Sequence, residues 1–428
     1  MSRPWLSADR AAPLVGAGML RSPLALARAQ VASRSTSLGP TGVDWVEAVA
    51  DVPRFGGTAR RLLVGGQRTN LVRNPRCEGV VAGTPGTGPT NWSISAGSNG
   101  ITREIVGAGV GGGINYVDVR VYGTAEATTF TTCHFDTLTQ FPIAPGAIVT
   151  VSCFLRLVGG SLTGISLPTG ATNFNSASAA LDQYALITPV PTNAPLTGQR
   201  FTVTSTSSTF SNVNTAFMRP FTQLTITSGA TVDCTLRIGW PQVEMAPFAS
   251  SPILPAVGTP AASTRGADLV SATLASLGIG ANGASTVLMS AMLPQAAVSP
   301  TNAVLLQIDD GTDINRFLIR NDFGTNNLGG VWFTSVGSGV TGSAGTFVAG
   351  TPFRIGATID GSGRIAASFN GNAPVEVTGG PVSGLTRLRL GNTASGTVSM
   401  FGEVGHVRVL PYAVSDTALQ SLLLATPI

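Results

Sequence analysis

Glycoside cleavage needs two acids about 5 to 10 Å apart, and the densest acidic grouping in this chain is Asp309, Asp310 and Asp313, with Asp322 across an expected hairpin. All flank Gly or Asn in turn-like sequence, so solvated turn residues are the first reading. A calcium site built from turn oxygens is a further one, since hard cations need several converging carboxylate or carbonyl ligands. The two histidines, His134 and His406, are too few and too separated for a metal cluster or a triad. Cys133 and His134 fail as nucleophile and base because adjacent strand residues face opposite ways. Cys77, Cys133, Cys153 and Cys234 show no CxxC spacing. They are expected as buried free thiols, with one disulfide as the alternative. The glycine run 107–113 lacks a lysine and a following helix pattern, so it reads as a loop and not a phosphate cradle. The residues point to no catalytic group, no metal and no cofactor.

Binding chemistry is better represented. A sugar face stacks on an aromatic ring, and its hydroxyls pair with amides, carboxylates or guanidinium groups. Trp332 with nearby Arg320, Asp322, Asn326 and Asn327 offers that mixture late in the chain, and Trp92, Tyr116 and Tyr122 offer aromatic surface earlier. Each tryptophan also has a reading as core, because a sandwich of this size buries one or two.

The elements that must position these groups are strands. With 428 residues, two or three domains are expected. Gly 53, Pro 27, abundant Thr, Ser and Val, and only 11% charged residues favour short strands and many turns. All 25 basic residues are arginine against 21 carboxylates, and a net charge of +4 over this length gives no concentrated field for nucleic acid. No apolar run approaches the ~18 residues of a membrane helix, and Arg10, Arg21 and Arg28 break every early apolar stretch, so no signal peptide or membrane insertion is expected.

Four regions follow. Residues 1–66 are an extended N-terminal segment that cannot bury a core alone and must dock on something else. Residues 67–253 alternate as a β-sandwich, for example over 149–157, 201–204 and 224–226. Residues 254–268, with Pro255 and Pro260, read as a linker. Residues 269–428 form a second sandwich, whose strongest signal is the hairpin 353–359 and 364–369 around Asp360-Gly361 and closing at Asn370-Gly371. A terminal helix is predicted after Ser415 as N-cap.

Several motifs carry a resemblance. Arg54-Phe55, the run Leu62-Leu63-Val64 and Arg68-Thr69-Asn70-Leu71 resemble the junction of tailed-phage and gene-transfer-agent fibre or spike proteins. Residues 22–74 fit that pattern, and Thr264-Arg265-Gly266-Ala267-Asp268 resembles its exit motif. Asn74-Pro75 with Asn91-Trp92, and Trp240-Pro241-Gln242-Val243-Glu244 followed by Phe248-Ala249-Ser250, resemble the ends of a carbohydrate-binding-module-like jelly roll. Met245-Ala246-Pro247 departs from it where a Gly is common. Residues 280–425 resemble a concanavalin-like, laminin-G-type lectin domain. The resemblance implies a virion protein made in a bacterial cytoplasm and commonly homotrimeric, with Arg54, Phe55, Arg68, Thr69 and Asn70 at the attachment junction. Its partners would be other virion proteins and host cell-surface polysaccharide. A capsule depolymerase and a non-binding structural spacer are the alternatives.

Overall fold

Alternation builds the first sandwich. In the strand Ile114–Thr124, Val117, Val119 and Val121 are fully buried, and Tyr116, Asp118, Arg120 and Tyr122 hold the opposite face, as a period of two requires. This strand lies in a five-stranded antiparallel sheet in the order Ile101–Gly111, Ile114–Thr124, Thr231–Glu244, Thr150–Gly160, Arg200–Thr204. A second sheet runs Ala180–Ile187, Thr169–Phe174, Phe217–Ile226, Thr129–His134, Ser93–Ile94. Between them lies a core that includes Val119, Val151, Cys153, Leu224, Ile226, Leu236 and Ile238.

The computed structural model describes residues 13–28, 33–297, 302–323, 330–335 and 339–428, with backbone alone for 33 and 330–335. The protein is all-β, and the described residues form two sandwiches and one terminal α-helix. The second sandwich has one sheet in the order Val340–Thr346, Gly330–Ser335, Arg316–Asn321, Ala303–Asp309, Arg387–Leu390, Leu269–Thr273, Ala25–Ala27. The opposing sheet includes Gly402–Leu410, Ser285–Met292, Phe353–Ile359, Arg364–Phe369 and Val375–Thr378. The expected hairpin forms, with Ile359 opposite Ile365, and Asn370 takes the left-handed conformation after it (φ 53°). The helix Asp416–Leu424 starts where Ser415 Oγ accepts the Ala418 N–H. It buries Leu419 and Leu423 against Leu288, each worth about 1.5–3 kcal/mol.

The described part of the N-terminal segment docks on this chain's own sandwiches. Val15–Gly16 and Arg61–Val64 pair with Gly402–Leu410, and Ala25–Ala27 pairs with Leu269–Thr273. Ser33–Leu38 pairs with Trp45–Ala48 and with Ile253–Pro255. Val15, Leu24, Phe55, Leu62 and Val64 enter the core of the second sandwich. Trp45 reaches the first, edge-on to Phe154 (5.7 Å) and Trp240 (6.2 Å). Residues 254–268 are accordingly more than a linker: Ser263–Arg265 also pairs, with Arg68–Asn70. Prolines 255 and 260 argued against strand locally, but Pro255 closes its strand and 260 lies outside one, so neither removes a needed donor.

Candidate functional site

The motifs flanking the first sandwich in the sequence meet at one buried point between the two. Asp268 is fully buried, and its carboxylate accepts from Arg28 (2.7 Å), Arg54 (2.6 Å) and the Gly65 N–H (2.9 Å). Arg54 and Arg265 both donate to Ser251 Oγ, and Arg265 also donates to the Gly66 carbonyl. Burial alone would raise the Asp268 carboxyl, but Arg54, Arg265 and Arg28 together hold it below the usual carboxylate range. Burial and the neighbouring Arg54 push the Arg265 guanidinium downward. Asn70 donates to the Pro241 and Ile253 carbonyls and accepts from the Val72 and Val243 N–H groups. Buried Glu244 accepts from Gln242, the Ser250 N–H and Ser250 Oγ, folding the chain back after the last strand. Arg54, Phe55 and Asn70 are therefore spent inside the fold, 3%, 9% and 1% exposed.

Arg68 and Thr69 differ. Thr69 bonds Thr264 at the surface. The Arg68 guanidinium lies 4.6 Å from the Phe248 ring and 4.3 Å from the Phe401 ring, in the corner that these two perpendicular rings make at 5.2 Å from each other. Gly66 permits this, since a Cβ there would fall 2.5 Å from the Phe401 ring. Arg68 forms the wall between two cavities, one of about 650 Å³ between the sandwiches and one of about 370 Å³ beside Leu71 and Met245. Burial lowers its pKa, against the attraction of Glu244, whose carboxylate is 3.9 Å away.

Tyr116 and Tyr122 are brought together on the outer face of the five-stranded sheet. They stand six residues apart on one strand, roughly 20 Å at 3.3 Å per residue, with Asp118 and Arg120 between them. Arg237 on the next strand pairs with Asp118 through two bonds of 2.8 Å and lies 3.4 Å over the Tyr116 ring. Arg120 bonds Asp233 and Glu104 and lies 4.6 Å from the Tyr122 ring. Tyr116 extends across Gly109, where a Cβ would meet its hydroxyl at 2.7 Å. The Trp45 hairpin walls one end of this face, because Phe154 and Trp240 sit beneath it with Tyr116 alongside. Aromatic rings and guanidinium groups thus alternate along one partly exposed, pre-ordered surface, with the Asp118 carboxylate buried among them.

No family model matches the chain, and no curated protein matches it. Among solved structures, the carbohydrate-binding module (CBM40) of the Ruminococcus gnavus IT-sialidase, bound to α2,3-sialyllactose, is 17% identical. The match covers 35% of this chain and 86% of that one, with a TM-score of 0.28. The tandem CBM22 domains of Paenibacillus barcinonensis Xyn10C are 12% identical, covering 78% and 98%, at 0.24. Mouse laminin α1 domains LG4-5 are 13% identical, covering 63% and 84%, at 0.23.

The other sequence candidates are dispersed. Trp92 packs on the first core, edge-on to Phe135 at 5.2 Å, with its Nε1–H on the Asn74 carbonyl. Arg320 is ion-paired to Asp322 at 2.9 Å on the second sandwich. Trp332 lies in the strand opposite Arg320, its side chain outside the described residues, as are Asn326 and Asn327. The acidic grouping needs correction: Asp309 is fully buried, not a solvated turn residue, because Arg389 (2.7 Å) and Gln307 (3.0 Å) reach it. Asp313 is held by Gln307, Arg316 and the Ala394 and Ser395 N–H groups, leaving Asp310 as the open turn residue. Among the described residues no group of three metal-ligating side chains converges, and no helix is long and apolar enough to cross a membrane.

All four cysteines are free and buried. Cys133 faces the core and His134 the other way, beside Phe221, where burial and Arg219 press its pKa down to about 4. The sequence reading missed Arg237, Asp118, Phe248 and Phe401. For Asp118 the signal was present, in the strict alternation from Tyr116 to Tyr122; for the others no local signal exists.

Proposed function

We propose that this chain is a non-catalytic glycan-binding protein, and that it serves as the fibre or spike of a phage or gene-transfer-agent particle that contacts host cell-surface polysaccharide. The observation that carries the binding is the partly exposed file Tyr116, Arg120 and Tyr122 with Arg237 and Asp233 beside it, where buried Asp118 fixes Arg237. Its ion pairs fix the side chains before any ligand arrives, which lowers the ordering cost of binding. The particle context, the attachment through the N-terminus and the homotrimeric grouping rest on the resemblance of residues 22–74. Grouped copies would multiply weak single sites by avidity.

The test is retention of the full chain on purified host polysaccharide. Tyr122→Ala should weaken retention about twofold to tenfold, in line with the roughly 0.5–1.5 kcal/mol carried by one aromatic contact, with an unchanged circular dichroism spectrum. Unchanged retention in a Tyr116→Ala, Tyr122→Ala double variant removes this face from the reading. A fall in polymer viscosity on incubation would favour a depolymerase.

A further inference from the structure

The cavity between the two sandwiches holds a group that the fold leaves unsatisfied. Among the described residues, Arg68 is the only charged side chain lining the 650 Å³ cavity. Its guanidinium makes no hydrogen bond among the described residues, its Nε is buried without a partner, and the Glu244 carboxylate is too far at 3.9 Å. Glu244 already accepts three hydrogen bonds, from Gln242 and Ser250. Phe248 and Phe401 flank the guanidinium at 4.6 and 4.3 Å, and a guanidinium donates within its own plane. A planar guanidinium with free in-plane donors matches the two oxygens of a carboxylate. Around it the cavity offers the amides of Gln67, Gln295 and Asn302 and the hydroxyls of Ser395 and Thr397, which suit the hydroxyls of a sugar. The volume lies within the ordinary range for small-ligand sites, roughly 300–1,000 Å³.

We infer that the inter-sandwich cleft is a second binding site, for a short acidic saccharide whose carboxylate pairs with Arg68. It deepens the glycan-binding reading but occupies a different surface from the tyrosine face, so the two fail separately.

The experiment is calorimetric titration of the full chain with a uronic-acid oligosaccharide, with the same oligosaccharide after reduction of its carboxyls to alcohols, and with inorganic phosphate. The uronate should bind, and carboxyl reduction should weaken it about tenfold to a hundredfold, the scale of a charged hydrogen-bonded pair. Arg68→Gln should reproduce that loss, and exposed Glu376→Gln, which lines neither surface, should leave uronate affinity unchanged. Because Arg68→Gln could disturb folding, a thermal shift of the wild-type chain is read as well, and it should rise with the uronate and not with its reduced form. Equal binding of both oligosaccharides, no binding of either, or phosphate binding as tightly as the uronate would each overturn the proposal.

Discussion

Replacing Asp268 by Asn tests the physical centre of the fold. The substitution keeps the shape and one acceptor but strips the charge that faces Arg28 and Arg54, whose side chains are 0% and 2% exposed. Removing one partner of a buried pair leaves the other charge uncompensated, at a cost of about 3–5 kcal/mol. Here two guanidinium groups bond the lost carboxylate and a third, Arg265, lies in its field, so the upper half of that range is expected. Exposed Glu376→Gln serves as the control: its partner Arg364 keeps Asp416, and surface pairs contribute about 0–1 kcal/mol. The assay is urea unfolding followed by circular dichroism, with the midpoint shift multiplied by the slope. The sign with pH is fixed by linkage. The folded pKa of Asp268 is depressed, so its contribution is present above the unfolded value near 3.9 and is lost as pH falls through the folded value. The difference between wild type and Asp268→Asn should therefore shrink in acid. A variant within about 1 kcal/mol of wild type at pH 7 would refute the assignment of Asp268 as the charge that holds the leader.

Two further outcomes are expected. Burial pushes the Cys133, Cys153 and Cys234 thiols up to about 12 and Cys77 higher still, so none should react with a thiol reagent in the native protein at pH 8, and all four should react in urea; a single fast native thiol contradicts this. Burial alone would raise Asp313, but Gln307, Ser395 and the Ala394 N–H bring it down to about 2. Between that value and the unfolded value near 3.9 the unfolded state binds more protons, so stability falls as pH drops from about 4 to 2. Asp313→Asn should flatten that limb in acid unfolding curves, and an unchanged slope would exclude the contribution.

What was legible in the sequence was local. Asp360-Gly361 and Asn370-Gly371 specify the 353–369 hairpin because the residues that pair are neighbours in the chain. The alternation of Val117, Val119 and Val121 likewise fixes which face Tyr116 and Tyr122 share. The leader strands were not legible, because Arg28 finds its partner 240 residues away and short strands with mixed burial have no period of their own. The motif residues Arg54, Asn70 and Arg265 could be recognised, but Arg54 meets the charge of Asp268 214 residues away, and Asn70 meets backbone groups of residues 241–253. Asp309 looked like a turn residue for the same reason, since Arg389 reaches it from 80 residues downstream. The Arg68 corner needs Phe248 and Phe401, which no spacing rule connects.

Truncation is where this packing changes the functional test. Removing residues 1–66 to release a particle attachment would also remove Val15, Phe55, Leu62 and Val64 from the second core and Trp45 from the outer face of the first. Each fully buried side chain of this kind is worth about 1.5–3 kcal/mol, so that deletion should unfold the protein, and a bare particle would then report misfolding. Removing residues 1–12 alone spares every pairing described above. With the thermal midpoint kept, the expected result is loss of the protein from the particle, scored by electron microscopy of purified particles. Full decoration by the 13–428 chain, with its midpoint intact, would sink the attachment reading for those twelve residues and turn the search to the exposed side of the leader hairpin, where Val43, Val46, Val49 and Val52 are each 43–54% exposed.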